Sequence, residues 1–234
     1  MVARADASGG GGTVLVTGGA SGLGRAVAEA VREAGWHPVV LDRQPADGFD
    51  QELVDLADSG RAEAAVRRVA DGSGGLFAVV TAAGIDACGP LQSVPREAWD
   101  RVIAVNLLGT AAVVRAALPS LLESGGRVVT VASTLGLRAL PDASAYCASK
   151  FGVVGFTRAL ALEMAGRVGV TLLVPGGMRT AFFDGRDAQY RPGPDAQLNS
   201  PADVAAAVVF ALRQPAGCEL RELVITPSVE PSWP

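Results

Sequence analysis

The chain has 234 residues, 49% of them hydrophobic and 19% charged, with a formal net charge of −4. That length can bury a full core in one domain of the larger α/β kind, and the apolar content excludes a disordered chain. An acidic balance without a basic footprint excludes nucleic acid as a partner, and apolar runs broken by Gly, Pro or charge fall short of the ~20 residues that span a bilayer.

The amino terminus, residues 1–12, closes on Gly9 to Gly12 and lacks an apolar signal core. It reads as a flexible tail before a domain over residues 13–234 of a cytoplasmic protein. Cys88, Cys147 and Cys218 are odd in number and widely spaced, which suits reduced thiols and predicts no metal site. The single His37, just before an apolar strand, reads as structural.

Short apolar runs alternate with longer segments of helical period. Strands are predicted at Thr13 to Thr17, Pro38 to Leu41, Glu52 to Val54, Leu76 to Val80, Arg127 to Ala132, Val170 to Val174 and Leu223 to Thr226. Helices are predicted near Leu23 to Glu33, Gly60 to Ala70, Arg96 to Leu122, Ala143 to Ala165 and Pro201 to Leu212. The alternation predicts a doubly wound parallel sheet of about seven strands between two helical layers, a Rossmann fold. From Ala181 to Ser200 the pattern gives way to Gly, Pro and Asp, and this stretch is expected to be a loop that covers a substrate.

The first strand runs into Thr17-Gly18-Gly19-Ala20-Ser21-Gly22-Leu23-Gly24, which opens the first helix. A dinucleotide pyrophosphate needs a tight turn, close backbone approach and a helix amino terminus, and glycines here serve all three. The second strand ends in Asp42-Arg43. A carboxylate there accepts from ribose hydroxyls and repels a 2′-phosphate, which favours NAD(H); Arg43 could instead pair that phosphate, which leaves NADP possible. Only thirteen positions separate Asp42 from Asp55, too few for an intervening helix. Asp55-Leu56 could contact adenine, or Asp55 could cap the helix that follows.

Tyr146 and Lys150 are four residues apart on a predicted helix, so their side chains share a face. A free phenol titrates near ~10, and a neighbouring ammonium favours its ionised form, which makes the pair a candidate proton shuttle.

Together these segments resemble the short-chain dehydrogenase/reductase family, from Thr13 to about Thr180 and more loosely to the end. The turn from Thr17 to Gly24 resembles its TGxxxGxG segment, and Ala82-Ala83-Gly84 resembles its NAG segment, with Thr81 and Ala82 where the family usually has asparagines. Asn106, Ser133, Tyr146 and Lys150 match its tetrad, Ser133 lying thirteen residues before Tyr146 with Thr134 as an alternative hydroxyl. Pro175-Gly176-Gly177-Met178-Arg179-Thr180 resembles its PGxxxT segment.

The resemblance implies hydride transfer between a secondary alcohol and a ketone. Tyr146 is then the acid or base, Ser133 holds the substrate oxygen, Lys150 lowers the tyrosine pKa and binds nicotinamide ribose, and Asn106 completes a proton relay. Thr180 would bond the nicotinamide carboxamide or a phosphate. It also implies a homodimer or homotetramer through the two long helices. Cys88 to Leu91, Leu135 to Leu140, Gly177-Met178 and Phe182-Phe183 are expected as mostly apolar walls for a small substrate, with Arg138 either pairing a substrate carboxylate or facing solvent. An NADPH-dependent ketoreductase of secondary metabolism and a catalytically silent nucleotide sensor or scaffold are the competing readings.

Overall fold

Strand β1 (Thr13–Thr17) reads TVLVT, and all five residues are buried. An apolar, β-branched run with no exposed face is what a parallel strand needs when helices cover it on both sides. The other strands are β2 (His37–Asp42), β3 (Asp50–Leu53), β4 (Leu76–Thr81), β5 (Arg127–Val131), β6 (Gly169–Pro175) and β7 (Glu222–Ile225). They form one sheet in the order β3-β2-β1-β4-β5-β6-β7, parallel at every pairing. This computed structural model describes residues 11–233. Residues 1–10 of the expected tail lie outside the described residues.

The helices are α1 (Gly22–Glu33), α2 (Ser59–Gly72), α3 (Arg96–Ile103), α4 (Thr110–Ser124), α5 (Ser144–Glu163) and α6 (Pro201–Leu212). Side chains of a strand alternate between faces, so Val14 and Val16 pack with Val27, Val31, Val204 and Leu212 of α1 and α6. Leu15 points the other way, into a cluster with Val66 of α2, Val113 of α4 and Leu160 of α5. Each fully buried aliphatic side chain contributes about 1.5–3 kcal/mol, so these two layers fix the sheet before any polar group is placed.

Three features depart from the sequence reading. The long helix predicted over Arg96 to Leu122 is continuous but passes through a π-helical turn, Ala104–Gly109, between α3 and α4. This stretch, Arg96–Ser124, is long and apolar enough in composition to cross a bilayer, contrary to the expectation that no run reached that length. Half of its most apolar window is buried inside the fold, where Val113, Ala117 and Leu121 line the sheet. Edge strand β3 starts at Asp50, before the expected Glu52, because its residues Asp-Gln-Glu-Leu are mostly exposed and carry no apolar signal.

β2 and β3 are joined without a helix, as the short spacing requires. Residues 181–200 contain two single 3-10 turns, Ala181–Phe183 and Ala188–Tyr190. His37 is exposed and its Nε2 lies 3.1 Å from Asp50 Oδ2 at the start of the strands, far along the sheet from the glycine turn.

Candidate active site

In a parallel sheet all strands end at one edge, and the connections run in opposite directions on either side of β1 and β4. That reversal leaves a crevice beyond the strand ends, where ligands of such sheets bind. Thr17 and Ala83 face each other across it, and the Thr17 Oγ1 accepts from the Ala83 N–H at 3.1 Å.

The glycine turn is required by this closeness. Gly18 has φ +75, and a Cβ on it would lie 2.8 Å from Ala83 Cα. A Cβ on Gly24 would lie 2.2 Å from the Gly18 carbonyl oxygen. The N-cap Ser21 makes no side-chain bond to the first turn of α1, which also carries no acidic residue. Its amides, at Gly22, Leu23 and Gly24, and the positive end of the helix dipole are therefore available to an anion. From the opposite side Thr180 approaches, its Cβ 3.5 Å from the position a Cβ on Gly22 would take. Thr180 Oγ1 also accepts from the Phe182 N–H at 3.3 Å.

Asp42 stands at the end of β2, beside the glycine turn. Its Oδ2 accepts from the Ala20 N–H and its Oδ1 from the Gln44 N–H, each at 3.0 Å, so the carboxylate is tied to the glycine turn and cannot swing away freely. Arg43 is exposed beside it. Asp55 is held by the Ala57 N–H at 3.0 Å and by Arg101 Nη2 at 2.6 Å, and the Arg101 hydrogen bond lowers its pKa most. It does not cap α2. Asp58 does, accepting from the Arg61 N–H at 3.0 Å, because the helix begins at Ser59. Leu56 is buried, with its carbonyl 2.8 Å from where a Cβ on Gly109 would lie. These residues, with Ala82 and with Pro175 and Gly176 at the end of β6, fit a nicotinamide dinucleotide.

The four tetrad residues converge beside the crevice. Ser133 lies two residues beyond the end of β5 and Tyr146 in the first turn of α5, and a hydrogen bond joins their side chains. Lys150 is 4% exposed; its Nζ donates to the Val131 carbonyl at 2.9 Å and lies 5.6 Å from the Tyr146 ring centroid. Asn106, in the π turn, is fully buried. Its Oδ1 accepts from the Ile85 N–H at 2.8 Å, and its Nδ2 donates to the Ile85 carbonyl at 2.9 Å and to Ser149 Oγ at 3.0 Å. Gly84 fills the gap between them, with its virtual Cβ 3.5 Å from Lys150 Nζ and 3.6 Å from Asn106 Oδ1. Thr134 turns away from this group, since its hydroxyl pairs with Ser232 Oγ at 2.7 Å.

Burial dominates the electrostatics of the Tyr146–Lys150 pair. Burial pushes the Tyr146 phenol above its ordinary value, the Ser133 hydrogen bond pulls it down, and the charges of Asp86 and Arg186 act in opposite senses. The Lys150 ammonium, directed at the Val131 carbonyl, is itself pushed down to about 8 by burial.

The sequence reading missed four residues. Asp86 Oδ2 and Arg186 Nη2 form an ion pair at 2.9 Å beside Tyr146. Glu230 reaches back to accept from the Gly177 N–H at 2.9 Å and from Ser232 Oγ at 2.6 Å, so the carboxyl end packs over the Pro175-to-Thr180 segment. Asp86 stands two residues beyond Gly84 and could have been noted there. The other three carry no local signal. Arg138 is exposed, and its N–H donates to the Thr134 carbonyl at 2.9 Å.

A doubly wound sheet with a glycine turn at its crevice and a Ser-Tyr-Lys-Asn cluster alongside defines a class of nucleotide-dependent oxidoreductase. The short chain dehydrogenase family model matches residues 12–191. The chain is similar to D-threitol dehydrogenase of Mycolicibacterium smegmatis, 35% identical over 84% of each chain. It is also similar to D-beta-hydroxybutyrate dehydrogenase of Cupriavidus necator, 36% identical over 85% of this chain and 89% of that one. Aldohexose dehydrogenase of Thermoplasma acidophilum, solved ligand-free, superposes with a TM-score of 0.83 at 25% identity over 93% of both chains. The chain belongs to the short-chain dehydrogenase/reductase family, oxidoreductases that act on CH–OH groups and bind NAD(P).

Proposed function

We propose that the chain interconverts a small secondary alcohol and its ketone using NAD(H). The observation that carries this reading is the hydrogen bond between Ser133 and Tyr146 at the mouth of the crevice, with Lys150 and Asn106 packed behind it. When bound, the dinucleotide supplies or accepts hydride at its nicotinamide ring.

In the oxidising direction the substrate O–H donates to the Tyr146 oxygen, which takes the proton as the carbonyl forms. In reduction the same phenol returns it. Charge builds on the substrate oxygen between these states, and the Ser133 hydroxyl donates to it there. Lys150 binds the nicotinamide ribose. Asn106 continues the proton relay from Lys150 and fixes the loop that carries Gly84. Thr180 closes the nicotinamide end.

The anchored Asp42 carboxylate supports NAD(H) over NADPH, since a 2′-phosphate would meet its charge. Exposed apolar side chains on the long helices, Leu108 at 52%, Phe151 at 44% and Leu162 at 80%, support a homodimer or homotetramer. Parallel fluorescence titrations with NADH and NADPH test the cofactor reading. Tighter NADH binding supports it, tighter NADPH binding overturns the Asp42 assignment, and binding of neither overturns the dehydrogenase reading.

A further inference from the structure

The loops facing Tyr146 hold a buried ion pair that the hydride chemistry leaves unused. The side chains of Asp86 and Arg186 are 7% and 16% exposed and meet at 2.9 Å. The Arg186 guanidinium lies 4.7 Å from the Phe182 ring centroid and 4.6 Å from that of Phe183. Phe182 in turn lies 5.6 Å from the Tyr146 ring. The pair is thus set into the aromatic wall beside the proposed acid-base group. Its position is held from a second point, where the Tyr190 hydroxyl donates to Asp142 Oδ2 at 3.1 Å.

Hydrogen-bond accounting shows what the pair can still accept. Arg186 donates to Asp86, and more weakly to the Tyr190 carbonyl at 3.5 Å, while its Nε–H is buried without a partner. A buried charged donor left unpaired is unfavourable, and this one is closed to solvent, so a ligand oxygen gains strongly from it only as the aromatic wall gives way to admit it. Asp86 accepts from Arg186, from the Ala87 N–H at 2.7 Å and from the Cys88 thiol at 3.2 Å. A carboxylate offers about four acceptor sites, so capacity remains. A hydroxyl both donates and accepts and can satisfy both partners. A carboxylate or phosphate could satisfy Arg186 alone and would meet the charge of Asp86.

We infer that Asp86 and Arg186 form a subsite for a second hydroxyl close to the reacting carbinol, which makes the substrate a short polyol rather than a simple alcohol. This rests on the dehydrogenase reading above and names the substrate class of that site. Aromatic walls cover the carbon chain, and the ion pair reads its neighbouring oxygen.

The test compares kcat/KM for four- to six-carbon polyols and for 2-alkanols of matched length in the wild type, Asp86→Asn, Arg186→Met and Arg186→Lys. A site built to bond a hydroxyl discriminates strongly against the analogue lacking it, so the wild type is expected to prefer polyols by more than about 100-fold. The preference collapses towards equality in Asp86→Asn and Arg186→Met. It is also largely lost in Arg186→Lys, which keeps the charge but not the Nε–H. NADH affinity, measured in parallel, shows whether each variant is folded, and the wild-type ratio decides by itself if a variant is not. Equal wild-type efficiency on both sets, retention of the ratio in folded variants, or a preference for hydroxy acids over both overturns the inference alone. Oxidation of neither polyols, 2-alkanols nor hydroxy acids by protein that binds NADH overturns the dehydrogenase reading itself.

Discussion

Asn106 and Ile85 are joined by two hydrogen bonds, with the carboxamide oxygen accepting from the Ile85 N–H and the amide nitrogen donating to its carbonyl. One side chain thereby completes the backbone of the loop that carries Gly84 and Asp86, where no strand partner is available. Its second donor bond, to Ser149 Oγ, ties the same point to α5. The π turn that holds Asn106 interrupts a long helix at the place where this link is needed, and such turns are frequent at functional sites.

Asn106→Ala removes all three bonds in a fully buried position. Leaving buried donors and acceptors unpaired costs about 1–3 kcal/mol per group, so urea unfolding of the variant is expected to show a loss of about 2–4 kcal/mol. An unchanged midpoint would mean that water replaces the carboxamide at no cost.

Tyr146→Phe keeps the ring against Phe182 and removes the hydroxyl bonded to Ser133. General acid-base groups contribute about 10²–10⁴-fold, so kcat/KM for alcohol oxidation should fall by about 1,000-fold while NADH affinity is retained. Because burial raises the phenol pKa, oxidation by the wild type, which needs the phenolate, is expected to accelerate from about pH 7 to about pH 9. Activity retained in Tyr146→Phe would place the proton transfer elsewhere.

Lys150 imposes a pH-dependent penalty on the folded state. Burial lowers its ammonium from 10.5 to about 8, so between those values the unfolded chain holds a proton that the folded chain has released. Stability contributed at this site therefore rises with pH across that window. Below it both states are protonated and the full burial penalty, about 3 kcal/mol, is present. In cofactor-free protein, Lys150→Met is expected to be more stable than wild type at neutral pH, with the gap closing as pH approaches 10.5. Paired urea titrations across this range check the sign, and a gap that widens with pH contradicts it.

Gly24→Ala places a Cβ 2.2 Å from the Gly18 carbonyl, and the turn must open to admit it. Overpacking of this kind costs about 1–3 kcal/mol, which should weaken NADH binding by about 100-fold. Gly155→Ala in α5 is the control, because nothing lies within 4 Å of its virtual Cβ. It is expected to stabilise the helix by about 0.5–1 kcal/mol and to leave NADH affinity unchanged. Equal behaviour of the two variants in the NADH titration would remove the glycine turn from the cofactor site.

The sequence by itself determined the layers, the glycine turn and the Tyr146–Lys150 pair, because each depends on spacing along the chain. Period two fills both faces of β1, 3.6-residue periodicity places the two functional side chains on one turn of α5, and the twelve residues between Asp42 and Asp55 leave no room for a helix. Tertiary structure alone decided that Asp58 and not Asp55 caps α2, that Asn106 sits in a π turn, and that Lys150 addresses Val131. It also joined Asp86 to Arg186, and Glu230 to Gly177, 53 positions away. Those partners come from irregular segments with no period, and their contacts exist only once the strand ends have been gathered at one edge of the sheet. Burial then raises the Tyr146 phenol and lowers the Lys150 ammonium, and burial belongs to the folded chain.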